Sequence, residues 1–167
     1  MDRNVSVKAE HSCGVIVVKK CDKSYCILTL LQDNSFYHRK NNDKVVDIGP
    51  KGHMNPGESE SEAALRETLE ETGMSVNLLP GFKSEYSYEF DVEESTGSKL
   101  HVKKTVTYFA AIVDDKALKG IALSPEHISY RFEDINNYKR ITNFEAQKRV
   151  LEELRDYLEG AGGTGGV

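Results

Sequence analysis

The sequence predicts an α/β fold in which a mixed β-sheet lies between helices. Three observations carry that expectation. Apolar, β-branched runs of strand length recur between Ser12 and Phe132. A capped amphipathic segment interrupts them after Ser59, and a second one follows Phe144. Strands interspersed with one central and one terminal helix suit a sheet covered by helices. At 167 residues, 38% hydrophobic and 29% charged, the chain suffices for one soluble domain with a substantial core.

Taken in order, Met1 to His11 is polar and reads as an arm. Ser12–Val18 and Tyr25–Leu31 are two apolar runs joined by a polar turn, predicted as buried strands of one hairpin. Gln32 to Asp43 is a polar loop, and His38, Arg39 and Lys40 inside it read most simply as surface charges. Val45–Ile48 is a short strand leading into Gly49-Pro50-Lys51-Gly52. The helix after Ser59 is followed by a predicted strand over Met74–Leu79, then a Pro80-Gly81 turn. Phe82–Val92 alternates loosely, residues 93–99 form a hairpin loop, and Leu100–Val113 is the longest strand signal. A loop over 114–123 precedes a short strand, Glu126–Phe132. Asn143 or Thr142 caps a final helix from Phe144 to Leu158, with Val150, Leu151, Leu154 and Leu158 inward. The Gly-rich end is expected to be disordered. The chain thus divides into an arm at 1–11, a domain at 12–159 and a tail at 160–167.

Composition excludes several classes of function. A net charge of −5 argues against a broad electrostatic grip on nucleic acid. No stretch has the length of a membrane-spanning helix, and the polar N-terminus lacks a signal-peptide core. Cys13, Cys21 and Cys26 are odd in number and in no metal-type spacing, which suits reduced thiols in a cytoplasmic protein. Nothing in the sequence calls for a second subunit, and a monomer is expected.

The segment from Gly52 to Met74 carries the chemistry. Ser59 and Glu62 have the spacing of a capping box, and Gly73 falls where a left-handed cap would end the helix. Ala64, Leu65, Thr68, Leu69 and Thr72 make one modest face, with Glu67, Glu70 and Glu71 roughly opposite. Like charges three and four apart cost about 0.2–0.5 kcal/mol each, and acids at a helix C-terminus oppose its dipole. A solvated acidic face is the plain reading of a Glu-rich helix. Three carboxylates on one side also suit a hard divalent cation, which would cancel their repulsion.

The helix entrance decides between these. Gly52, Glu58, Arg66-Glu67, Glu70-Glu71 and Gly73 fill every fixed position of the Nudix box, with Thr68 where an aliphatic residue is usual. The chain therefore resembles a Nudix hydrolase. The resemblance implies an α/β/α sandwich, with Gly52, Glu67, Glu70 and Glu71 holding Mg²⁺ (Mn²⁺ is the alternative) and Arg66 and Glu58 orienting the glutamates. Pro50-Lys-Gly-His53, Gly81-Phe-Lys83, Lys104-Thr-Val-x-Tyr108, Ser124-x-Glu-His127 with Tyr130, and Phe144 further resemble the animal-type asymmetrical diadenosine tetraphosphate hydrolases. That likeness implies phosphate contacts from Lys51 and Lys104, and an adenine sandwiched by Tyr88 and Phe144. It makes Glu126 a metal ligand or the base that activates water. Core aromatics are the alternative for Tyr88 and Phe144, and a loop carboxylate for Glu126. One departure lies before Pro50: the family's His-Trp pair is replaced by Val45-Val-Asp-Ile-Gly49, and His38 in the preceding loop is the remaining histidine there.

The expected function is Mg²⁺-dependent cleavage of a small-molecule nucleotide substrate, a dinucleoside polyphosphate, with diadenosine tetraphosphate going to ATP and AMP. The alternatives are another anhydride (an RNA 5′-triphosphate or cap, ADP-ribose, a diphosphoinositol phosphate) or a non-catalytic nucleotide-binding module.

Overall fold

A computed structural model describes residues 5–164. The elements are β1 (Val5–Cys21), β2 (Ser24–Gln32), β3 (Val46–Asp47), β4 (Lys51–His53), α1 (Glu60–Thr72), β5 (Ser84–Glu93) and β6 (Lys99–Ile112). Then come α2 (Asp115–Leu118), β7 (His127–Asp134), a 3₁₀ turn at Ile135–Asn137, α3 (Tyr138–Ile141) and α4 (Glu145–Thr164).

β1 organises the sheet. It pairs in parallel with β6 from Val5 opposite Lys99 to Val18 opposite Ile112, and β5 adds antiparallel to the far side of β6. On its other edge β1 carries β2 and β4, and β2 carries β3 and β7. The Val15-Ile-Val-Val18 run does not alternate with polar residues because both of its faces are buried, as in sheets covered on both sides. Ile16 and Val18 pack with Val106, Tyr108 and Ala110 under Val150, Leu151, Leu154 and Leu158 of α4. Cys13, Val15 and Val17 face Ala63 and Ala64 of α1 and Met74 behind it. The molecule is the α/β/α sandwich with a mixed sheet that the sequence predicts.

Several local expectations shift. β1 begins at Val5, so residues 5–11, read as an arm, are a strand whose backbone is satisfied by β6. Met74–Leu79 forms no strand. β6 already has a partner on each edge, and Leu79 N–H donates singly to the Ala110 carbonyl (2.8 Å). The loop at 114–123 contains the short helix α2, capped by Asp114. α4 continues past Leu158 to Thr164, into the stretch expected to be disordered, and the end of that tail lies outside the described residues.

α1 has both expected caps. Ser59 Oγ accepts from Glu62 N–H (3.1 Å), Glu62 Oε1 accepts from Ser59 N–H (3.2 Å), and Gly73 adopts φ 74°. Its buried face is Ala63, Ala64, Thr68, Glu71 and Thr72, whereas Leu69, expected inward, is 52% exposed. The helix is rotated so that one glutamate, not one leucine, points into the protein. Ser59→Ala should lower stability by about 1 kcal/mol with an unchanged m-value in urea unfolding, the usual loss of an N-cap.

Candidate active site

One guanidinium assembles the start of the site. Arg66 Nε and Nη2 donate to the two carboxylate oxygens of Glu58 (2.6 and 2.9 Å), and Nη2 also donates to the His53 carbonyl (2.8 Å). Arg66 Nη1 reaches Glu67 (2.8 Å) and Glu70 (3.2 Å) on its own helix. Glu58 in turn accepts from Asn55 N–H (2.7 Å), which closes the loop between β4 and α1. The hydrogen bonds from Arg66 hold the Glu58 carboxyl below the usual range, and those from Glu58 and Glu67 keep Arg66 charged.

Glycine at position 52 makes room for the Glu67 carboxylate. A Cβ there would overlap that carboxylate where it lies, so the bare backbone lets this side chain rest against β4. Glu67 is half-buried, and burial raises its pKa despite Arg66. Glu71 is buried, and its carboxyl is pushed up to about 9, first by burial and then by Glu126, Glu67 and Asp47. Among the described residues its Oε2 has no hydrogen-bond partner, and neither does Nδ1 of buried His127. Glu71, Glu126 and His127 each present a donor atom within 4.8 Å of the others. Clustered carboxylates with an orphaned buried oxygen fit a divalent cation.

Glu71 belongs both to this cluster and to the set expected from the sequence. Arg66 draws Glu67 and Glu70 to one side, and the Glu70 side chain is 57% exposed at the rim.

Five side chains around this cluster, Asp47, Gln32, Arg39, Tyr37 and His127, were not singled out as site residues in the sequence. Asp47 on β3 is almost buried and accepts from His127 Nε2 (2.7 Å) and from Gln32 Nε2 (2.9 and 3.0 Å). Burial disfavours its charge, but His127, Lys51 and Gln32 together outweigh that and keep it below the usual range. Arg39 Nη2 donates to Gln32 Oε1 (2.7 Å), extending the chain outward to the 33–44 loop. The Tyr37 hydroxyl donates to Glu126 Oε2 (3.1 Å), with the Arg39 guanidinium over its ring. His127 stands in the Ser124-x-Glu-His127 block, so its presence was legible. Its partner Asp47 is 80 residues away, and nothing local joins them.

A cavity of about 540 Å³ opens beside this network, with Asp47, Lys51, Tyr86, Tyr88, Phe144 and Gln147 in its wall. Tyr88 is 45% and Phe144 63% exposed, so neither is a core aromatic. Tyr88 stacks along β5 with Tyr86 and Phe90, centroids 6.2 and 5.8 Å away. Lys104 lies opposite Tyr88 on β6, and burial together with the Lys51 charge lowers its pKa. His38 sits at φ 55° on the loop surface, and its ring makes no hydrogen bond among the described residues. Tyr37, next to it, reaches the Glu126 carboxylate, and Asp33 N–H of the same loop donates to the Glu126 carbonyl (2.7 Å).

The family model described as the NUDIX domain matches residues 11–154. The asymmetrical bis(5′-nucleosyl)-tetraphosphatase of Rattus norvegicus is 33% identical over 158 residues, covering 90% of this chain and 96% of the rat protein. The Mus musculus enzyme of the same name is 32% identical over the same shares. Among solved structures, a C. elegans Ap4A hydrolase binary complex superposes with a TM-score of 0.63 at 21% identity, covering 90% of this chain and 98% of that one. That structural likeness is one of fold.

The crowding at Glu71 has a consequence for stability. Its folded pKa lies above the ordinary 4.5, so the folded state binds the extra proton between about 4.5 and about 9. The stability tied to that proton is fully present below 4.5 and lost as pH rises through 9. Glu67 acts in the same direction; Asp47 acts in the opposite one, only at acid pH. In cation-free buffer the melting temperature should fall from about pH 5 to about pH 9. Glu71→Gln should flatten that slope in a thermal melt series.

Proposed function

Because the chain belongs to the NUDIX domain family, whose hydrolases use divalent metal ions, we propose that it cleaves dinucleoside polyphosphates. Diadenosine tetraphosphate is the preferred substrate, yielding ATP and AMP, with Mg²⁺ as the cation. The catalytic unit is residues 12–159, acting as a monomer in the cytoplasm. The observation that carries the reading is the cluster of Glu71, Glu126 and His127 together with a cavity walled by Lys51 and two exposed aromatic rings, Tyr88 and Phe144. The names of the rat and mouse relatives support the substrate class.

Glu67, Glu70 and Glu71, with the Gly52 carbonyl, would hold the cation. When bound, it supplies neutralisation of the phosphate oxygens and a site for the attacking water. Everything else falls to the chain itself. Arg66 is a positioning residue: it keeps Glu67 and Glu70 on one side and, through Glu58, fixes the loop that carries Gly52. Tyr37 occupies Oε2 of Glu126, leaving Oε1 to take the proton from water as it attacks phosphorus. Asp47 and His127 back Glu71 and hold its neighbours in register. Lys51 and Lys104 bring positive charge to the polyphosphate, whose anionic oxygens offset the penalty that burial imposes on Lys104. Tyr88 and Phe144 stack on the faces of a base, a contact any nucleobase can make.

The test is product analysis over a panel of nucleotide anhydrides with Mg²⁺ in ¹⁸O-labelled water. Label and products should report asymmetric cleavage of the tetraphosphate at a higher kcat/KM than ADP-ribose or RNA 5′-triphosphate. A preference for either of the latter two overturns the substrate assignment. Glu70→Gln should cut turnover by about a hundredfold or more with the unfolding transition unchanged, as loss of a charge-stabilising group does. Tyr88→Ala with Phe144→Ala should raise KM about tenfold or more for little change in kcat or stability, at roughly 1–3 kcal/mol of stacking per base.

A further inference from the structure

A second cluster of donors lies on the α1 side of the sheet, away from Glu71. Cys13, Thr107 and Glu85 are in register across β1, β6 and β5, so their side chains share one face. His11 is two residues before Cys13 on that face, and Glu60 reaches it from the first turn of α1. A ring nitrogen of His11, the Sγ of Cys13 and a carboxylate oxygen of Glu60 all lie within 4.8 Å of one another. None of the three is a fixed position of the glycine–glutamate pattern.

The Cys13 thiol is the telling group. It is fully buried and points at the imidazole and the carboxylate, yet it has no hydrogen-bond partner among the described residues. The groups around it are already gathered: His11 Nε2 lies 2.8 Å from Thr107 Oγ1 and 3.1 Å from Glu60 Oε2. In a tetrahedral site with bonds of about 2.0–2.2 Å, donor atoms sit roughly 3.3–3.6 Å apart. The histidine–glutamate pair is therefore near ligating separation without a change of fold. Access exists, because the side chains of His11 and Glu60 are 34% and 27% exposed.

We propose that His11, Cys13 and Glu60 form a binding site for a borderline-soft divalent cation of the Zn²⁺ class, distinct from the glutamate site for the hard cation. A nitrogen, a sulfur and an oxygen donor select zinc or cobalt over magnesium, which prefers oxygen alone. Binding exchanges a proton for the metal: the S–H bond of Cys13 breaks, its proton leaves to solvent, and the thiolate sulfur bonds the cation. Charge balances locally. The thiolate, Glu60 and Glu85 bring three negative charges, against the cation and Lys83, which stays on the other oxygen of Glu60 (2.6 Å). Water or Glu85 completes the fourth position.

The experiment uses the full, reduced chain in excess Mg²⁺, which occupies the hard-cation site, and titrates Co²⁺ as an optical probe of zinc sites. A thiolate-to-cobalt charge-transfer band in the near ultraviolet should appear at one equivalent and be abolished by Zn²⁺. It should persist in the Cys21→Ser/Cys26→Ser double variant and vanish in Cys13→Ser. His11→Ala and Glu60→Gln, which leave the buried thiol in place, should each weaken cobalt binding by about tenfold or more. If Cys13→Ser fails to fold by circular dichroism, these two variants carry the test. Absence of the band in the wild-type chain, its survival in Cys13→Ser, or unchanged affinity in His11→Ala and Glu60→Gln overturns the site. The readout is independent of nucleotide hydrolysis, so failure of the substrate assignment leaves it standing.

Discussion

The guanidinium of Arg66 is the contact on which the catalytic end of the molecule depends. It grips Glu58 with two hydrogen bonds, takes the His53 carbonyl, and holds Glu67 and Glu70 on its own helix. A planar fork with donors along two edges can do this; a lysine, with one point of charge, cannot. The result is that loop 53–58, strand β4 and helix α1 behave as one body. The bare backbone at Gly52 then lies directly against Glu67.

That rigidity has an electrostatic cost that the site puts to use. Turning α1 so that Glu71 rather than Leu69 faces inward places a carboxylate among Glu126, Glu67 and Asp47 with little solvent to screen them. A proton at Glu71 relieves the repulsion in the free protein, and a divalent cation relieves it better while leaving every carboxylate ionised. The same crowding orients the neighbours. Asp47 remains ionised only because His127, Lys51 and Gln32 converge on it, and this fastens β3, β7 and the start of the cavity wall to one another. Glu126 is steadied from the solvent side by Tyr37, a residue of the 33–44 loop.

Legibility in the sequence followed the range of the interactions. The capping box at Ser59 and Glu62, the left-handed Gly73 and the Glu58–Arg66 pairing are local, and each stands where the spacing puts it. The doubly buried run of β1 and the apolar stripe of α4 were equally plain. Local pattern and structure part company where a neighbour decides. Residues 5–11 are polar enough to read as an arm, yet β6 offers them a full ladder of backbone partners. Met74–Leu79 has strand composition but finds both edges of β6 taken. Leu69 has helical spacing for the core and is turned out by the way α1 seats on β4.

The sequence by itself determined the chemistry of the catalytic helix: its glutamates, its arginine, its caps and the glycine in front of it are all within one short stretch, where spacing fixes relative position. It also determined that strands had to be covered on both faces, since long apolar runs without alternation leave no side for water. Only the tertiary structure decided which groups complete the site. Asp47 meets His127, Tyr37 meets Glu126, and His11 and Cys13 meet Glu60, through strand pairings and a helix seat that join residues far apart in the chain. Such meetings depend on which edges pair and in what register, and register is a property of the whole sheet that no single segment carries.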